Sequence, residues 1–223
     1  TKIFLKNTIS DISHQLRTPL AALSMYQEIL ENEYDKPAVV QNFAAKAGFA
    51  LQRMEQLIQS MLKITRLDAG NVVFEKKICV LSELVSHAVG ELTTRADSEN
   101  KTIILEGSGT DTILCDASWT SEAISNIVKN ALDHMAARGT VRITWEISRF
   151  AAAIRIADDG SGIALEDIHH VFKRFYRSRQ SSDTQGIGLG LPLARSIVEG
   201  QGGTISLQSA PGAGTTFTLM LPW

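Results

Sequence analysis

At 223 residues the chain is long enough for one large or two modest domains, each able to bury a core. Its 22 basic and 24 acidic residues leave a formal net charge of -2, without the basic excess of nucleic-acid-binding domains. Two cysteines, Cys79 and Cys115, are too few for a disulfide framework or a metal site and read as buried thiols in a reducing compartment; no run of eighteen apolar residues is present to span a membrane.

The first predicted helix runs from about Lys2 to Glu33. Ile9, Ile12, Leu16, Pro19, Leu23, Tyr26 and Leu30 recur in steps of three and four, the seam of a bundled helix. His14 falls on the opposite side of that heptad, so its imidazole should stand in water as a nucleophile. Pro19 cannot donate to the carbonyl of Gln15, which predicts a bend just beyond His14. The chain lacks an initiating methionine and its helical pattern is under way by Ile3 to Leu5, so it is expected to be cut from a longer polypeptide.

Asn32 to Pro37 form a polar break, and a second helix is expected from about Ala38 to Leu67, with its seam at Val40, Ala44, Ala47, Leu51, Met54, Ile58, Met61 and Thr65. Two such helices make an antiparallel hairpin that leaves much of each seam wet. A second copy would complete a four-helix bundle; packing on the chain's own second domain is the other solution.

After the short linker Asp68 to Asn71, pieces rich in Val, Ile and Thr alternate with helical stretches. Expected are a strand at Val72 to Lys77, a helix at Leu81 to Glu99, strands at Thr102 to Glu106 and Thr112 to Cys115, and a helix at Trp119 to Arg138 capped by Asp116 or Ser118. Paired central strands follow at Thr140 to Ser148 and Ala152 to Ala157, then a helix at Leu189 to Gln201 and closing strands at Gly203 to Ser209 and Thr215 to Leu221. The fold class is α+β: a helical hairpin followed by a sandwich of helices on one face of a mixed sheet.

Four separated signals lie in the second part. In NIVKNA, Asn126 and Asn130 share a helix face, and their amide oxygens suit Mg²⁺ already ligated largely by phosphate and water, although such pairs usually make a wet face. DDGSG, Asp158 to Gly162, sets a carboxylate at a strand end before glycines that admit a flat ligand, or is simply a turn. GIGLGL, Gly186 to Leu191, exposes backbone N–H groups at a helix start, which favours phosphate; it is neither a Walker loop nor a dinucleotide fingerprint. GAGTTF, Gly212 to Phe217, including Thr215, would close the pocket.

In this order and spacing the four pieces resemble the ATP-binding domain that histidine kinases share with the Hsp90, gyrase and MutL families, and SHQLRTPL, Ser13 to Leu20, resembles the phosphoacceptor box of sensor histidine kinases. The resemblance implies a hairpin that dimerises into a four-helix bundle over residues 1–68, a linker at 69–72 and a catalytic domain over 73–223. His14 would take the γ-phosphoryl of ATP, and Thr18 would position water when phosphate is removed from the partner. Asn130 would coordinate Mg²⁺ and Asn126 support the phosphates, which Gly186, Gly188 and Gly190 border. Asp158 would pair with adenine above Gly160 and Gly162, with His134 beside the base and Thr215 on the closing wall. Within VFKRFYR, Phe172 and Phe175 would anchor a lid, Ser178 to Gln185, or serve as core, and Arg177 would reach phosphate.

Two departures from the family pattern stand out. Gln15 occupies the place of the usual acidic base and cannot accept a proton, so it orients the imidazole or autophosphorylation is slow. Asp133 stands where Lys or Arg is common, so it should point out or pair with Lys129 or Arg174. The implied activity is ATP-dependent autophosphorylation and transfer to an aspartate of a response regulator receiver domain, with phosphatase activity toward the regulator as a further capacity. A nucleotide-gated binding module or phosphatase-biased switch, and an Hsp90-like ATPase, are the rivals. The implied setting is the cytoplasmic part of a bacterial inner or plasma membrane receptor, joined to the membrane only through segments absent from this chain.

Overall fold

The computed structural model describes residues 16–30, 36–177 and 186–222. His14, Gln15, the expected bend, the first halves of both the helix and its seam, the inter-helix turn at 31–35 and the expected lid at 178–185 lie outside the described residues. Two compact units divide inside the second helix, Thr1–Leu62 and Lys63–Trp223.

In the first unit, α1 covers 16–30 and α2 begins at Pro37, whose fixed φ and missing N–H suit the first helical position, and runs to Asp68. The rings of Tyr26 and Phe43 meet with centroids 5.7 Å apart, so the two helices pack as an antiparallel hairpin. Along α2 the less exposed positions are Val40, Phe43, Ala47, Ala50, Met54, Leu57 and Met61, whereas Ala44, Leu51 and Ile58, expected in the seam, are exposed. The seam therefore steps by three before four. The sequence contains both lines, and Tyr26 selects the one carrying Phe43.

The second unit holds a five-stranded sheet ordered β2-β4-β5-β7-β6: β2 Thr102–Glu106, β4 Thr140–Ile147, β5 Ala151–Asp158, β6 Thr204–Ser209 and β7 Thr215–Pro222. Only the β2–β4 pairing is parallel. The strands alternate as one-face-buried strands should: Val141, Ile143 and Trp145 of β4 and Phe217, Leu219 and Leu221 of β7 face inward. The other face is wet, with ion pairs Arg142–Glu106 and Arg155–Glu146. Helices α3 (Leu81–Ser98), α4 (Ala117–His134) and α6 (Gly190–Gly200) cover the inner face, α4 lying between the other two. A short α5, Leu165–Ile168, was not legible in the sequence.

Two expected elements need correction. Residues 71–76 form no strand; β1 is Lys77–Val80, paired antiparallel with β3, Thr112–Cys115. The preceding segment is held by side chains instead of a ladder: the N–H of Glu75 donates to Asp116 Oδ2 at 2.9 Å, Lys76 Nζ donates to the carbonyl of Gln201 at 2.7 Å, and Phe74 meets Trp119 edge-on. Helix α4 ends at His134 rather than Arg138, because Met135 is extended and Arg138 turns to a φ of +68°. Its cap is Asp116, which accepts from the N–H of Trp119 at 3.2 Å.

Candidate functional site

The end of β5 brings Asp158 opposite Thr215 of β7. Its Oδ1 accepts from the N–H groups of Gly160 and Thr215, at 2.9 and 3.3 Å. Burial pushes the carboxyl above its ordinary value, opposed by those two donors and by nearby His134. The other carboxylate oxygen has no hydrogen-bond partner among the described residues and is free to accept from a ligand.

Backbone passes too close to this carboxylate for side chains. A Cβ on Gly160 would lie 2.8 Å from both Asp158 Oδ1 and the carbonyl of His134. Gly162, at φ +69°, would place its Cβ 1.9 Å from the carbonyl of Ala210, and Gly214, at φ +76°, 1.9 Å from that of Asp158. At Gly162 and Gly214 these are sub-contact distances in a left-handed conformation, so only glycine fits there without moving the backbone. Ser209 pins the same corner: its hydroxyl donates to the carbonyl of Gly214 at 2.7 Å, accepts from the N–H of Ile163 at 2.8 Å and lies 3.0 Å from Thr215 Oγ1. Ser209 went unnoticed in the sequence, where a serine closing a strand carries no distinctive signal; Gly214 stood inside GAGTTF but was not singled out.

On the other side of the site, Asn126 Nδ2 donates to the carbonyl of Glu122 at 2.9 Å, which fixes the amide. Its oxygen then faces Gly190, where a Cβ would lie 3.1 Å away. Asn130, one turn on, makes no side-chain hydrogen bond among the described residues. Gly190 opens α6, and Leu189 before it offers no side-chain cap, so the first N–H groups of the helix are left for an anion. Gly188, at φ +73°, accepts from the N–H of Phe175 at 2.8 Å, and Phe175 itself sits at φ +60°.

Phe172 packs edge-on against the buried Phe217, with centroids 6.2 Å apart, under the guanidinium of Arg195. Tyr176 donates to Asp167 and lies beside His170. VFKRFYR is thus tied to the sheet and to the loop before α6. Arg177, the last described residue before 178, is exposed, as is Thr18 on α1; Gly186 begins the segment on the far side. Asp133 pairs with neither Lys129 nor Arg174: its Oδ1 takes Arg95 of α3 at 2.7 Å, while Arg174 binds Asp68. The acid therefore meets a cation on the neighbouring helix, away from Asn126 and Gly190.

The residues fit a nucleotide. A carboxylate with an uncommitted oxygen suits an exocyclic amine, and the uncapped start of α6 suits phosphate. Among the described residues no cluster of three or more His, Cys, Asp or Glu could hold a metal ion. Asn130 supplies a neutral amide oxygen, which fits a divalent cation brought by phosphates rather than one caged by protein.

Residues 4–70 match the His Kinase A (phospho-acceptor) domain, and residues 115–223 match the histidine kinase-, DNA gyrase B- and HSP90-like ATPase domain. The sensor-like histidine kinase SenX3 of Mycolicibacterium smegmatis is 31% identical over 219 residues, covering 97% of this chain and 57% of SenX3. The sensor protein kinase PmrB of Pseudomonas aeruginosa is 31% identical over 214 residues, 96% of this chain and 44% of PmrB. The chain thus spans about half the length of these curated relatives. Among solved structures, the Acinetobacter baumannii histidine kinase AdeS superposes with a TM-score of 0.78 at 20% identity, covering 94% of this chain and 97% of that one. Histidine kinase ThkA, solved in complex with the response regulator protein TrrA, gives 0.79 at 19% identity, covering 98% and 61%. At such identities the structures speak for the fold, and the matched domains and curated relatives speak for descent. The chain belongs to the sensor histidine kinases.

Proposed function

We propose that this chain is the ATP-dependent kinase core of a two-component system, phosphorylating itself on His14 and passing the phosphoryl group to an aspartate of a response regulator. The observation that carries the reading is the Asp158 carboxylate, with one oxygen committed to backbone and one free, at a strand end where Gly162 and Gly214 let backbone segments cross closely. The proposed domains are 1–68 for dimerisation and phosphotransfer, 69–72 as linker and 73–223 for nucleotide binding.

In this reading Asp158 accepts from the adenine amine, Gly160 and Gly162 floor the base, His134 stacks at its edge and Thr215 closes the wall. Asn126 holds the phosphates alongside Gly186, Gly188 and Gly190, and Arg177 reaches them from the Phe172 to Tyr176 segment. Bound Mg²⁺ would neutralise phosphate charge, with Asn130 as its protein ligand. His14 attacks the γ-phosphorus in line, so that catalysis rests on positioning and charge neutralisation. Gln15 orients the imidazole, and Thr18, exposed on α1, positions water for dephosphorylation of the regulator.

The regulator would dock on the exposed stripe of Arg17, Thr18 and Ala21 beside His14, in line with the regulator complex of the similar ThkA. The exposed apolar line Leu51, Ile58 and Leu62 on α2, with Leu20 and Met25 on α1, is the surface a second copy would cover in a four-helix dimer. No described helix is long and apolar enough to cross a membrane. The proposed setting is the cytoplasmic portion of a membrane-bound bacterial receptor.

Incubation with γ-labelled ATP tests the reading. Acid-labile label should appear on the protein and vanish in His14→Ala. Mixing Asn130→Ala with His14→Ala chains separates the route, since label on the mixture means transfer across a dimer. Gln15 favours one alternative, a nucleotide-gated or phosphatase-biased switch with weak kinase activity. That reading gains if nucleotide binds and regulator phosphate is removed while His14 stays unlabelled.

A further inference from the structure

The two cysteines stand 36 residues apart in sequence and meet on the β1–β3 ladder. In its register Cys79 faces Ile113 and Cys115 faces Lys77, so both thiols project from the same face as diagonal neighbours. Cys79 Sγ lies 3.4 Å from the carbonyl of Lys77 and 3.9 Å from that of Cys115.

The two differ in access. Cys115 is buried, and Cys79 is part-exposed in a cleft of about 520 Å³ between β1, α3 and the first turn of α4. That cleft also holds Ser121, whose buried hydroxyl has no hydrogen-bond partner among the described residues. Among the described residues β1 pairs with β3 alone, in a two-stranded ladder apart from the main sheet. Joining diagonal thiols takes a shift on the order of 1 Å between the two strands, because an unstrained disulfide requires Cα atoms closer than a diagonal pair ordinarily sits.

We infer that Cys79 and Cys115 form an oxidisable thiol pair, with Cys79 the site of attack by hydroperoxides and Cys115 the resolving thiol. Cys79 takes one peroxide oxygen to become a sulfenic acid, and the other leaves as water or alcohol. The Cys115 sulfur then bonds to that sulfur, and the displaced hydroxyl leaves with the Cys115 proton as a second water. Burial, foremost, holds the Cys115 thiol up at about 11, so peroxide meets the more accessible Cys79 first. The bond would fasten the edge strand β1 to β3 immediately before Asp116, the cap of α4.

The test treats the full chain with hydrogen peroxide, blocks remaining thiols with an alkylating reagent and maps tryptic peptides. Expected is loss of both free thiols in a monomeric chain, with the peptide Ile78 to Arg95 linked to Thr102 to Lys129 and the link released by dithiothreitol. In Cys115→Ser, Cys79 should be trapped as a sulfenic acid by a 1,3-dione. In Cys79→Ser, Cys115 should remain fully alkylatable after peroxide and unfolding. Two alkylatable thiols in the treated wild-type chain would overturn the inference. So would Cys79 driven to sulfinic acid beside a free Cys115, or cross-links found only between chains.

Discussion

Asp158→Asn separates a ligand-binding carboxylate from a structural one. The amide oxygen of asparagine can still accept from the N–H groups of Gly160 and Thr215, so the corner that those bonds hold should survive. The outer oxygen becomes an NH₂, a donor facing the exocyclic amine that it should receive. Loss of one charge-assisted hydrogen bond costs roughly 1.5–3 kcal/mol, or about ten- to a hundredfold in Kd. Stability should move the other way. Burial raises the Asp158 carboxyl, which means that its ionised form is disfavoured in the folded chain, and asparagine removes that burden. Titration with a fluorescent ATP analogue, alongside urea unfolding, should show weakened binding with an unchanged or higher unfolding midpoint. Binding within about threefold of wild type would refute the adenine contact, since threefold is well under 1 kcal/mol. A fall in affinity matched by a fall in stability would make Asp158 a strut rather than a ligand.

The same carboxyl sets a pH dependence. Because its folded value is raised above the ordinary 3.8, its contribution to stability is complete below the unfolded value and is lost as pH rises through the folded one. Nucleotide binding has the opposite sign: it needs the ionised form, so affinity should fall on acidification from above 3.8, and the fall should flatten in Asp158→Asn when both are titrated between about pH 4 and pH 7. Gly214→Ala combines a left-handed φ of +76° with a Cβ 1.9 Å from the Asp158 carbonyl, and urea unfolding should register a loss of about 3 kcal/mol or more; an unshifted midpoint would contradict the close approach. Gln201→Leu strips partners from the N–H of Asp116 and the hydroxyl of Thr120, with an expected loss of about 2–4 kcal/mol by the same measurement. Gln15→Glu supplies the missing base, so phosphohistidine should form faster with γ-labelled ATP, and an unchanged or lower rate would count against this account of the departure at Gln15.

Most of the second unit was legible because its strands alternate with period two and its helices with 3.6, and the closing hairpin carries Gly212 and Gly214 between its strands. Where side chains replace periodicity, the reading failed. Val72 to Lys77 is rich in strand formers, yet its order comes from Asp116, Gln201 and Trp119, all remote in sequence. The partner of Asp133 is hidden for the same reason: Arg95 is reached only when α3 packs on α4, whereas Lys129 is its neighbour on the helix and Arg174 lies within VFKRFYR. In α2 two apolar lines share Val40, Ala47, Met54 and Met61, and nothing local ranks Phe43 and Leu57 above Ala44, Leu51 and Ile58. The glycine motifs announced a pocket, but not that Ala210 and Asp158 are the backbones that cross it.

The positions of Asn126 and Gly190 relative to each other are set far from both. Helices α4 and α6 pack side by side, and Gly190 at the start of α6 lies against Asn126 in the middle of α4. The chain directions are therefore opposed, and Gln201, at the other end of α6, reaches the first turn of α4, where its side chain accepts from the N–H of Asp116 at 2.8 Å and donates to Thr120 at 3.1 Å. Asp116 in turn caps α4 through Trp119 and holds the N–H of Glu75, while Lys76 binds the carbonyl of Gln201. Three remote stretches are thus locked at one buried point about 16 Å along α6 from Gly190, at 1.5 Å per residue. A helix pair fastened at one end and separated at the other only by a missing Cβ can slide little. The amide oxygen of Asn126 and the uncapped N–H groups of α6 are consequently fixed relative to each other, and on the proposed reading ordering these two groups adds little to the cost of binding nucleotide.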